Sequence, residues 1–221
     1  MKAILFGATG MVGQSVLREC LLDADVETVI CVGRSSTAQR DAKLRNLMLP
    51  DLFHLAPIES ELSGFDACFF CLGVTSAGMT EENYRHITLD LTVSVAQTLV
   101  RLNPAMTFVF VSGAGADSTE SGRIMWARVK GAAENAVFRL PFKAAYAVRP
   151  AVILPETGIR SRTRLYQTVY TLCRPLYPVL RILFPRYVTT TGKLGRAMLR
   201  LARQGAPRRV IESWDIAGLA D

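Results

Sequence analysis

Histidine is nearly absent from this 221-residue chain, with His54 and His86 the only two. A histidine-rich metal cluster is thereby excluded, and no metal is expected. A hydrolase triad of Ser112, His86 and Asp90 is also disfavoured, because no Gly-x-Ser-x-Gly elbow surrounds the serine. Long apolar runs are missing too. The nearest candidate, Leu165 to Phe184, is broken by Arg174, Pro175, Pro178 and Arg181, so it does not read as a membrane-spanning helix. Acidic residues vanish between Thr157 and Ile211, where twelve Lys and Arg occur unopposed; the remainder of the chain is net acidic. Such asymmetry suits a solvated basic face, or attraction to anionic lipid or a phosphorylated ligand. Nucleic acid is not expected as a partner, since no reader motif accompanies the charge. Internal repeats and low-complexity linkers are lacking.

The five cysteines are odd in number and sit mostly in apolar runs. They read as reduced and buried, and Cys68-x-x-Cys71 lies in a strand pattern that points the two thiols to opposite faces. Because an apolar strand begins almost at once, at Ala3, no secretory leader is expected. Together these features predict a cytoplasmic protein.

Strand-like and helix-like segments alternate. Strands are predicted at Ala3–Phe6, Val26–Val32, Leu52–Ala56, Ala67–Leu72, Thr107–Val111 and Ala144–Val148. Helices are predicted over 11–22, 81–102, 123–140 and 190–203. Continuous apolar strands between helices imply an α/β fold, a doubly wound parallel sheet of Rossmann type. The pattern fits a single domain over 1–221, with a core at 1–155 and a small basic helical cap at 156–221 over the carboxyl ends of the strands. Peripheral membrane contact or a homodimer through that cap is compatible with its Leu, Tyr, Phe and Arg content.

The most informative motif is Gly7-Ala8-Thr9-Gly10-Met11-Val12-Gly13, placed between the first strand and an amphipathic helix. The first glycine permits the tight turn, the second lets backbone approach a pyrophosphate, and the third allows helix and strand to pack closely. The helix start offers free N–H groups to the phosphates. At the end of the second strand, Gly33-Arg34-Ser35-Ser36 carries no carboxylate for a ribose diol. Arg34, helped by Ser35, suits a 2′-phosphate, so NADP(H) is expected in preference to NAD(H).

These residues resemble the extended and atypical short-chain dehydrogenase/reductases. The likeness continues through Phe65-Asp66-Ala67-Cys68-Phe69-Phe70-Cys71-Leu72-Gly73, Val109-Phe110-Val111-Ser112-Gly113, Val129-Lys130-Gly131-Ala132-Ala133-Glu134 and Val148-Arg149-Pro150. Among these proteins it looks most like the Tat-interacting-protein-like and NmrA-like branch, often labelled sugar-nucleotide epimerases. The resemblance implies that Cys71, Leu72 and Gly73 run beside the cofactor, that Lys130 holds its ribose, and that Ser112 polarises a substrate oxygen. It also implies a Tyr-x-x-x-Lys pair, but here the residue four before Lys130 is Trp126. Indole does not titrate in the useful range, so the usual proton donor is missing. Tyr84, Tyr146 and Tyr166 are possible substitutes, and the arginines of 159–164 are possible anion ligands. Two readings stay open: an NADPH-dependent oxidoreductase or epimerase-like enzyme on a small-molecule carbonyl or hydroxyl substrate, and a non-catalytic NADPH-sensing regulator or scaffold.

Overall fold

The computed structural model describes residues 1–156, 184 and 186–220. Seven strands form one parallel sheet: β1 (Lys2–Phe6), β2 (Thr28–Gly33), β3 (Leu44–Met48), β4 (Ala67–Phe70), β5 (Thr107–Val111), β6 (Ala144–Arg149) and an edge strand at Val210–Glu212. Their spatial order is β3-β2-β1-β4-β5-β6 and then the Val210–Glu212 strand. A separate parallel pair joins β7 (Val152–Leu154) to β8 (Val188–Thr190), so the edge strand becomes β9. The doubly wound Rossmann-type expectation is thus met.

Two apolar layers account for the central strands being buried on both faces. Alternation sends Ile4, Phe6, Phe70, Phe108 and Phe110 to one side. There they meet α3 (Leu91–Leu102) and α4 (Met125–Phe138) through Val95, Leu99, Val129 and Ala133. Ala3, Leu5, Val29 and Phe69 face the other side. They pack under α1 (Met11–Leu22) and α5 (Thr191–Gln204), against Val16, Leu17, Leu194 and Met198.

The predicted helix over 81–102 comprises α2 (Glu81–Arg85), a π turn (His86–Asp90) and α3. Thr80 caps its start by accepting from the Asn83 N–H at 3.3 Å. The third strand lies earlier than expected, at Leu44–Met48 instead of Leu52–Ala56. Arg45 and Asn46 belong to a half-exposed edge, which hides the strand pattern. Leu52 and Leu55 are apolar because they dip into the core from a loop that leads into the 3-10 turn Ala56–Glu61.

The C-terminal boundary also needs correction. Residues 191–212 are built into the sheet layers and do not cap them. The Ser15 hydroxyl donates to the Thr191 carbonyl, Gly195 lets α5 approach the Ser15 backbone closely, and β9 pairs with β6. A short helix, α6 (Ser213–Ala220), closes the chain. The arginines of 159–164, Tyr166 and Cys173 lie outside the described residues. Among the described residues no helix is long and apolar enough to cross a membrane.

Candidate functional site

Strand order reverses between β1 and β4, the place where an open α/β sheet leaves a crevice at its carboxyl edge. The glycine turn leaves β1 at this point, and Cys71-Leu72-Gly73 leaves β4 beside it, tied by the Cys71 N–H to Phe6 carbonyl bond of 3.0 Å. Gly7 has φ +80°, and a β-carbon there would sit 2.7 Å from the Cys71 carbonyl. Gly13 is equally constrained, because its β-carbon would lie 2.1 Å from the Gly7 oxygen. Gly10 differs: its β-carbon would meet nothing closer than the Gly7 oxygen at 3.4 Å. The protein itself leaves space at Gly10, and that space opens to the crevice.

The crevice is a cavity of about 340 Å³, within the ordinary range for small-ligand sites. Gly7, Thr9, Gly10, Arg34, Cys71, Leu72 and Gly73 line it. A smaller recess of about 60 Å³ adjoins it and adds Ser35. Most of the expected cofactor residues are therefore gathered in one place. Met11 and Val12 sit in the first turn of α1, which has no capping side chain and no acidic residue, so its N–H groups remain available to an anion. Gly13 is internal and acts through packing. Arg34 is exposed at the mouth, with no ion pair or hydrogen bond to a described residue. Space at Gly10, an uncapped helix start and an unpaired guanidinium fit a dinucleotide.

Sequence reasoning missed the opposite wall. Pro50, Asp51, Leu52 and Phe53 line it, with Ile87 and Leu91 reaching in from the π turn and α3. Asp51 orders the loop by accepting from the Phe53 N–H at 2.9 Å. Phe53 stacks on His86 at a centroid distance of 4.5 Å, and His86 pairs with Asp90 at 3.5 Å on an exposed helix face. The Asp-x-Phe turn was the available signal, obscured by reading Leu52–Ala56 as a strand.

Ser112, Trp126 and Lys130 come together one strand further on and do not line this cavity. Ser112 directly follows β5; its N–H bonds the Val148 carbonyl at 2.8 Å, while its buried hydroxyl has no hydrogen-bond partner among the described residues. Trp126 is half-buried, its ring over the backbone of Gly113 and Gly115, 3.9 and 3.6 Å from where a β-carbon on each would sit. Lys130 is only 9% exposed. Its ammonium donates to the Val111 carbonyl at 3.1 Å and lies 5.0 Å from the Phe110 ring centroid. Burial pulls its pKa down to about 8, partly opposed by the negative charge of Glu134 one turn along.

Glu134 is fully buried and clasped by Arg149, whose Nε donates at 2.9 Å. Arg149 also reaches Glu212 at 3.1 Å and the Ser118 hydroxyl at 2.6 Å. Gly131 is required because a β-carbon there would fall 1.8 Å from the Asp117 carbonyl. Of the substitute tyrosines, Tyr146 is a strut, its hydroxyl accepting from the Ala206 N–H at 3.0 Å. Tyr84 is buried, with its pKa raised by desolvation. The described cysteines are all free, and burial pushes the Cys31 thiol up to about 12.

With a glycine-lined crevice at the switch point, the chain has the architecture of a Rossmann-type α/β fold. Among solved structures it resembles the Bordetella bronchiseptica enzyme WbmF in complex with NAD+, at TM-score 0.70 and 14% identity over 99% of this chain and 76% of that one. It also resembles a UDP-glucose 4-epimerase from Thermotoga maritima with UDP-glucose, at TM-score 0.67 and 14% identity over 96% of this chain and 76% of that one. At such identity the likeness speaks for the fold alone. No family model matches the chain. Among curated proteins it is 30% identical to the mitochondrial protein FMP52 of Debaryomyces hansenii, over 70% of this chain and 67% of that protein. It is 26% identical to the mitochondrial protein fmp52-2 of Aspergillus oryzae, over 98% of this chain and 96% of that protein. The chain belongs to the FMP52 family.

These relatives overturn the cytoplasmic expectation, since they are named as mitochondrial proteins. Burial alone keeps the described cysteine thiols protonated and unreactive, so their state carries no information about compartment.

Proposed function

We propose that the chain binds NADPH in the 340 Å³ crevice and works as an oxidoreductase or epimerase-like enzyme on a carbonyl or hydroxyl substrate. The observation that carries this reading is Arg34, a guanidinium at the cavity mouth with no partner among the described residues, beside Ser35. The solved structures it resembles hold NAD+ or a sugar nucleotide and support a nicotinamide dinucleotide in general. The preference for the 2′-phosphorylated form rests on Arg34. The first turn of α1 would hold the pyrophosphate, Gly10 would let it approach, and Lys130 and Ser112 would serve the reacting end. When bound, the nicotinamide supplies or accepts hydride.

A second reading, an NADPH-sensing regulator without turnover, draws on Trp126, which stands where the related enzymes carry a titratable tyrosine. Calorimetric titration with NADPH and NADH tests the cofactor assignment. NADPH is expected to bind about 10- to 100-fold tighter than NADH, the worth of a charge-assisted contact. Arg34→Asp is expected to reverse the order. Equal affinity for the two, unchanged in that variant, would remove the assignment; binding of neither would make the glycine turn purely structural.

A further inference from the structure

Resting on the reading above, we propose that Lys130 is itself the acid–base group of this site, exchanging a proton with a substrate oxygen held by Ser112. The Ser112 hydroxyl is buried and lacks a partner among the described residues, a costly arrangement unless a ligand completes it. The Lys130 ammonium bonds the carbonyl of Val111, the residue directly before that serine. A titratable N–H group therefore lies within one residue of the orphan hydroxyl. The other side chain on this face of α4, Trp126, cannot give up a proton near neutrality.

Among the described residues, the competing tyrosines are disqualified by their own surroundings. Tyr146 is committed to Ala206, and Tyr84 is buried with its proton held more firmly than usual. The charged groups on the elements around Lys130 are few. Glu134, on the same helix, is neutralised by Arg149 of β6. Asp117, in the loop packed against Gly131, is bound to Thr119 and Gly122. The chain thus leaves Lys130 buried without a dedicated carboxylate, and its pKa of about 8 puts it in the range where a proton is readily exchanged.

In the reducing direction, a bound reduced nicotinamide would supply hydride to the carbonyl carbon and would itself be oxidised. The carbonyl π pair moves to oxygen, and oxygen takes a proton from Nζ. The N–H bond breaks, an O–H bond forms, and Lys130 is left as a neutral amine that recovers its proton from water. The oxidising direction reverses each movement.

The chain has only five lysines, Lys2, Lys43, Lys130, Lys143 and Lys193, so the test can be read residue by residue. In ¹³C-lysine NMR of the intact protein, one resonance should titrate near pH 8 and disappear in Lys130→Arg. Calorimetry with NADPH and single-turnover reduction across an aldehyde and ketone panel complete the comparison. At saturating NADPH, Lys130→Arg should lose turnover by about 100-fold or more, the usual worth of a positioned acid. Wild-type turnover should fall above pH 8 as the ammonium is lost. Three results would overturn the proposal: Lys130 titrating above pH 10, turnover surviving in Lys130→Arg, or no panel carbonyl reduced by a wild-type protein that binds NADPH. Failure of the wild type to bind NADPH overturns the cofactor reading itself, which the lysine titration, measured without cofactor, keeps separate.

Discussion

Replacing Lys130 with methionine should make the cofactor-free protein more stable. The lysine is pulled from its usual 10.5 to about 8 by burial, so at neutral pH folding must carry a poorly solvated ammonium inward. At about 1.4 kcal/mol per pKa unit, the penalty is roughly 3 kcal/mol. Methionine forfeits the bond to the Val111 carbonyl and the contact with the Phe110 ring, each worth about 1 kcal/mol. A net gain of about 1–2 kcal/mol remains. Its pH dependence is specific. Below pH 8 the group is charged in both the folded and unfolded states, and the full penalty applies. Between 8 and 10.5 the unfolded chain binds more protons than the folded one, so wild-type stability rises with pH and the advantage of the variant shrinks. Urea denaturation of both proteins at pH 6.5, 7.5 and 9.5 measures this difference. A variant less stable at pH 6.5, or an advantage that does not change with pH, would refute the account of a desolvated lysine.

Three further outcomes follow from the site. Gly13→Ala should fail to accumulate as folded protein, because its β-carbon collides with the Gly7 carbonyl; Gly10→Ala should fold normally by circular dichroism yet lose NADPH affinity in calorimetry. Arg149→Met should cost about 3–5 kcal/mol in thermal or urea unfolding, since it strands the buried Glu134 carboxylate, and adding Glu134→Met should recover much of that loss. Trp126→Tyr should raise carbonyl reduction about tenfold or more if proton transfer is the limiting step, read in the same aldehyde and ketone assay.

The legible parts of the sequence were those whose physics is local. Thr107–Val111 and Met11–Leu22 match their expected bounds because apolar continuity in one coincides with near-complete burial and helical spacing in the other with a single buried face. The glycine turn was readable in part for the same reason: Gly13 is fixed within the turn by the Gly7 oxygen, whereas Gly7 is held by Cys71 from far along the chain. What escaped was set by partners distant in the chain. β3 is an edge strand, and Arg45 and Asn46 in its middle leave no apolar run to notice. β9 has three residues, and its place beside β6 is secured by Glu212 reaching Arg149. The wall formed by Asp51 to Phe53 belongs to the site only because the π turn brings Ile87 across from another element. The Glu134–Arg149 clasp was likewise invisible, although both residues were singled out for their family motifs.

The docking of α5 on α1 sets a timetable for the chain's own synthesis. The Ser15 hydroxyl waits for the Thr191 carbonyl, and Asp23 waits for Arg203, partners separated by most of the polypeptide. One flank of the first helix therefore stays uncovered until residues 191–203 emerge. Contacts of such long range are slow to close. A nascent or truncated chain ending before α5 would present Val16, Leu17 and the strands beneath them to water. Such chains should be recognised as unfinished, bound by chaperones or degraded, even with the whole dinucleotide crevice already translated.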